Sequence, residues 1–210
     1  MGQEQQQSAA VKIDPARAAG IVRNIEQLGS DATLAMEAMS ESLMAAAVQI
    51  IGKIAVSPWQ IVEADWTARI VCADWKMARG VGTGDAWLEL AEISKDEEEG
   101  FSWISVAVGA GPTRLGIELV FRRGLQEWAE AVISESPLTE PLLKRGMIRT
   151  ENLRLFFPIQ IEAEALAQGF AANNLDKALI PVSEVVKDAI AAKAELDRLI
   201  GEVRSLAMRK

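Results

Sequence analysis

The stretch Arg114-Leu115-Gly116-Ile117-Glu118-Leu119-Val120-Phe121-Arg122 decides the fold class. Leu115, Ile117, Leu119 and Phe121 alternate with Arg114, Glu118 and Arg122. A period of two sends successive side chains to opposite faces, so the segment reads as a strand with one buried face. Gly109-Ala110-Gly111-Pro112 precedes it and is a turn signal, which predicts a hairpin with a strand at Trp103–Val108. Thr67–Lys76 and Ala86–Ile93 read as further strands. The acidic run Asp96–Glu99 between them and the hairpin reads as an exposed connection. Downstream, Leu153, Leu155, Phe157, Ile159 and Ile161 alternate with Arg154 and Gln160. Pro158 lacks a backbone N–H, so that strand is expected at an edge or a bulge. Gly124 to Ile133 reads as a helix, with Leu125, Trp128, Ala129 and Val132 on one side.

Outside this region the period changes to that of a helix. Asp14 and Pro15 are a helix start, an N-cap followed by proline at the first helical position. Ala18, Ile21, Ile25 and Leu28 follow at helical spacing, and Gly29-Ser30 is the expected break. A second helix is expected from about Asp31 to Val56, stopped by Pro58. Its methionines Met36, Met39 and Met44 read either as core or as an adaptable binding surface. At the other end, Val182, Val185, Ala189, Ala192, Leu196, Leu199, Val203 and Leu206 recur in an unbroken three-four alternation. This seam reads either as a helix docked on its own domain or as an interface between two copies of the chain.

The expected architecture is therefore α+β. An N-terminal helical hairpin (14–57) follows a disordered polar tail (1–13). A central antiparallel sheet of about four to five strands with one helix (58–161) comes next. C-terminal helices (162–210), including a long amphipathic one, complete what is expected to be one unit.

Composition removes whole classes of chemistry. The 210 residues contain no histidine and no tyrosine, and Cys72 is the single cysteine. Histidine-based triads, ordinary zinc sites and internal disulfides are excluded. The net charge of −8 disfavours direct contact with nucleic acid, because no segment is strongly basic. The pairs Arg122-Arg123 and Lys144-Arg145 read as solvated ends of elements. No signal peptide and no membrane span are read from the sequence, and a cytoplasmic location is the default.

Few motifs remain. Gly80-Val81-Gly82-Thr83-Gly84 lacks the Lys-Ser/Thr that a phosphate loop needs. Asp65, Asp74 and Lys76 match the carboxylates and lysine of a Mg²⁺-dependent nuclease site, in which two acids hold the metal and the lysine assists a metal-bound water. Glu89, Glu92, Glu118, Glu162 and Glu164 offer carboxylate pairs, but spacing alone does not show which of them meet. The expected function is that of a non-enzymatic partner-binding protein (an adaptor, regulator or chaperone-like module) that self-associates through helices. No cofactor or metal is expected. The alternatives are a nuclease-like protein using Asp65, Asp74 and Lys76, or an acidic mimic of nucleic acid.

Overall fold

The computed structural model describes residues 15–64, 67–75, 84–94 and 102–209. Helix α1 (Pro15–Arg23) begins at the proline, as expected; Asp14, its expected cap, and the 1–13 tail lie outside the described residues. The first break falls at Asn24 rather than at Gly29-Ser30. The Asn24 side-chain amide donates to the Gly20 carbonyl at 2.9 Å and occupies an acceptor at the end of α1. Helix α2 (Ile25–Leu34) then runs straight through Gly29. A glycine in a helix interior costs about 1 kcal/mol relative to alanine, which weakens a helix without ending it. A π-helical turn at Ala35–Met39 follows, and there the Ser40 hydroxyl donates to the Ala35 carbonyl at 2.7 Å. Helix α3 (Ser40–Ile54) completes the segment.

Strands β1 (Trp59–Ala64), β2 (Thr67–Cys72), β3 (Ala86–Ile93), β4 (Arg114–Phe121), β5 (Ile148–Arg149) and β6 (Leu155–Ile159) form one antiparallel sheet in the order β1-β2-β3-β4-β6-β5. The first four make a meander. Strand β1 carries the same alternation as the others, with Trp59 buried and Gln60 exposed, although the sequence reading began the sheet only at Thr67. Strand β6 is not the edge strand expected from Pro158, because β5 pairs outside it; β5 faces only Leu155 and Phe156, however, so Pro158 lies past its end and needs no N–H on that side.

Trp103–Val108 is not a strand. Trp103–Ala107 is a short helix, α4, and no hairpin joins it to β4. The reason is local: Ser102 Oγ accepts from the Ser105 backbone N–H at 3.2 Å, and the Ser102 N–H donates to Ser105 Oγ at 3.0 Å. This reciprocal box satisfies two donors at a helix start, which a strand at an apolar run would not do. Strand β4 takes β3 and β6 as neighbours instead.

Helices α5 (Gln126–Glu135), α6 (Thr139–Lys144), α7 (Ala163–Ala171), α8 (Ile180–Ala191) and α9 (Lys193–Met208) complete the chain. The central region thus holds α4, α5 and α6 rather than one helix. The C-terminal seam spans two helices, because the chain turns at Ala192 (φ −77°, ψ 6°). One sheet face, built from Ile70, Leu88, Leu90, Ile117, Leu119 and their neighbours, joins α3, α5, α8 and α9 in a single core. On the other face Val71, Ile93 and Phe156 are buried separately. Gly116 is needed there. A Cβ would lie 2.6 Å from the Phe156 ring and 2.7 Å from the Phe157 carbonyl oxygen.

Three ion pairs tie α9 to the rest, and two of them use arginine. Buried Asp85 accepts from Arg122 Nε at 2.7 Å and from Arg204 Nε at 2.8 Å, and Arg204 Nη2 donates to the Trp75 carbonyl at 2.7 Å. Arg145 donates to Glu195 Oε1 through Nε (3.1 Å) and Nη2 (2.8 Å). Arg122 and Arg145 are therefore latches between elements and not merely solvated ends. Arg204→Leu should lower stability by about 2 kcal/mol, the loss expected for a hydrogen bond to a charged group, when urea unfolding is followed by tryptophan emission. An unchanged midpoint would show that Arg122 alone satisfies Asp85. The Arg145 hydrogen bonds are the main cause holding the Glu195 carboxyl below its ordinary value. A depressed folded pKa gives stability that is present above the unfolded carboxylate value and is lost as the pH falls through the folded one. The stability difference between the native chain and Arg145→Gln should accordingly be full at neutral pH and vanish in acid.

Candidate functional site

The sequence left three places to look: the C-terminal seam, the acids with Lys76, and the paired glutamates. The seam is interior. Val182, Ala189, Ala192, Leu196, Leu199 and Val203 have no solvent exposure, and Val185 and Leu206 are half-buried against the same core. Surface that these residues would offer a second chain is already occupied by α3, α5 and the sheet.

Asp65 and Lys76 lie outside the described residues. Asp74 sits on a short 3₁₀ turn (Ala73–Trp75) at the end of β2. Its carboxylate receives Lys193 Nζ at 2.9 Å, and the same ammonium reaches Asp197 at 2.7 Å. The Trp75 indole donates to Asp197 at 2.7 Å. The hydrogen bonds to Asp197 and then to Asp74 push the Lys193 pKa up. Burial pushes up the pKa of the neighbouring Cys72 thiol, so it stays protonated at neutral pH. This cluster ties the end of β2 to the start of α9.

The sheet does bring Glu89 and Glu118 together. They are direct register partners across β3 and β4, and Arg69 is the register partner of Glu89 on β2. Like charges directly opposite each other are destabilising, and each here has its own cation. Arg154 Nε donates to Glu118 Oε1 at 2.6 Å, and its Nη2 donates to Oε2. That pairing is the main cause raising the Arg154 pKa. Arg69 Nε reaches Glu89 at 3.3 Å and its guanidinium stacks 5.2 Å from the Trp87 ring centroid, while Trp87 Nε1 donates to Glu89 at 2.6 Å. Glu89, Glu92 and Glu118 line an open cleft of about 730 Å³ beside α5. Glu162 and Glu164 stand apart: Glu162 precedes α7, and Glu164 accepts from Gln168 on that helix. Among the described residues no group of three or more acidic or cysteine side chains is placed to hold a metal ion.

Among the described residues, six of the eleven exposed large apolar side chains lie elsewhere, on the N-terminal helices. No residue of α2 is buried. Ile21, Ile25, Leu28 and Met36 are exposed, with Ile25 at 59% and Met36 at 52%, and they recur with half-buried Ala32 at steps of four, three, four and four. Three helical turns on, the same helix is core: Leu43, Met44, Ala47 and Ile51 of α3 are buried. The methionines divide accordingly, with Met44 inside, Met39 half-buried and Met36 outside. The segment Ile25–Ile54 is long and apolar enough to cross a membrane by length and composition, yet its second half is bound to the sheet and to α8. The first half is an arm: its π-helical turn packs against α3 and α4, and α2 beyond it has no buried residue. The stripe was visible in the sequence as a helical period. Its exposure was not, because periodicity does not say what a face packs against.

No protein-family model, curated protein or solved structure matches the chain. Arg154→Leu should destabilise the fold by about 2–3 kcal/mol, somewhat below the loss for breaking a fully buried pair because the arginine is a third exposed. The double variant Arg154→Leu/Glu118→Gln should recover much of that loss in urea unfolding. Equal losses in the single and double variants would show that the guanidinium acts by packing alone.

Proposed function

We propose that the chain is a non-enzymatic partner-binding protein whose docking surface is the N-terminal helical arm. The observation that carries this reading is the absence of any buried side chain on α2 beside an apolar stripe of Ile25 and Leu28, extended by Ile21 and Met36. Large apolar side chains in a continuous exposed row mark interaction surfaces, whereas isolated ones do not. The row follows the i, i+3, i+4, i+7 anchors by which one helix docks on another or in a groove. The carboxylates at Asp74, Asp85, Glu89 and Glu118 are each engaged by a lysine or arginine of the chain. Paired in this way they serve the fold, which supports binding over catalysis.

A photoreactive residue placed at Met36 or Val22 in the chain's native cells should give a discrete covalent adduct. The same probe at exposed Gln168 on α7 should give none. Absence of an adduct from either arm position would refute the proposal.

A further inference from the structure

We infer that the occupant of the arm is a second copy of this chain, lying antiparallel to the first; this rests on the partner-binding reading above. The argument begins with charge. In the turns Pro15–Asn24 the charged residues are Arg17 and Arg23, both positive. From Ile25 to Glu41 they are Glu26, Asp31, Glu37 and Glu41, all negative. A partner lying along this arm must carry the opposite gradient. The arm itself carries that gradient when its direction is reversed. A parallel copy would set arginine beside arginine and acid beside acid. The reversed arrangement also opposes the helix dipoles, which favours it further.

Symmetry agrees. In the antiparallel register that sets Ile25 against the partner's Leu28, the two-fold symmetry sets Leu28 against the partner's Ile25. Ile21 lies on α1, across the break at Asn24, so the register rests on Ile25 and Leu28 of α2, whose mutual pairing satisfies the two-fold symmetry. The acids that flank the stripe make an anionic lipid surface a poor competitor, because like charges repel. Helix α3 anchors the arm to the sheet, the main contacts of α2 are with the helical turns on either side of it, and no residue of α2 is buried. An interface confined to these turns is smaller than the ~1,600 Å² of a standard complex, so association should depend on concentration.

The experiment uses the full chain. Light scattering should give twice 22.8 kDa at high concentration and 22.8 kDa after dilution. Ile25→Asp/Leu28→Asp should be single-chain throughout. Both residues are exposed, and every tryptophan lies between Trp59 and Trp128, so unchanged tryptophan emission certifies the fold of the variant. Direction is read by cross-linking. Val22 is 72% exposed, and a Cβ at Gly29 would meet no atom within 4 Å, so each position accepts a cysteine. The native Cys72 is buried. With a short bis-maleimide, a mixture of Val22→Cys and Gly29→Cys chains should give a cross-linked dimer more strongly than either variant alone. Stronger self-cross-linking of each variant alone would establish a parallel pair and overturn the antiparallel inference. A single-chain mass at every concentration would overturn self-association. In that case an arm-specific adduct of another mass in native cells would leave the partner-binding reading standing, and no adduct would remove both.

Discussion

Coverage of one sheet face by α3, α5, α8 and α9 is the constraint on which the rest of this molecule depends. Leu88, Leu90 and Ile117 on the sheet, and Leu196, Leu199 and Val203 on α9, have no contact with solvent. Burying side chains of this size contributes about 1.5–3 kcal/mol each. The seam on α8 and α9 is spent here, and this determines which helices remain for other purposes. It also explains the ion pairs. Asp85 with Arg122 and Arg204, and Lys193 with Asp74 and Asp197, all lie where α9 meets strand ends or loops. They hold that helix in place over the sheet.

The opposite sheet face shows what happens where no helix layer provides coverage. Its buried groups are few: Val71, Ile93 and Phe156. Between them runs a row of charge, Arg69, Glu89, Glu118 and Arg154, in which the two carboxylates adjoin and the two guanidiniums stand outside them. Arg69, Glu89 and Glu118 are placed side by side by strand register, and a slip of one residue in any of these strands would turn its charged member toward the apolar layer. Glu118 is thus a specifier of register as well as one half of an ion pair.

Much of this was legible beforehand. The alternation at Leu115, Ile117, Leu119 and Phe121 located the central strand, and the three-four pattern from Val182 to Leu206 located the helices that cover it. Where the reading failed, a local hydrogen-bond choice prevailed over hydrophobic pattern. Trp103–Ala107 is apolar and flanked by glycines, but Ser102 and Ser105 cap it as a helix. Gly29 reads as a stop, but it stands in an exposed helix where nothing forces the chain to turn, and Asn24 supplies the break.

By itself the sequence determined the class of the fold, because periods of two and of three to four are properties of backbone geometry. It also determined the exclusion of histidine chemistry, because that is a matter of inventory. Only the tertiary structure decided which of two similar amphipathic faces is buried. Ile25 and Leu28 on the arm carry the same kind of pattern as Leu196 and Leu199 on α9, yet the first pair is exposed and the second is core. Periodicity records that a face is apolar. What covers it depends on where the chain has already spent its sheet, and that is a property of the assembled fold.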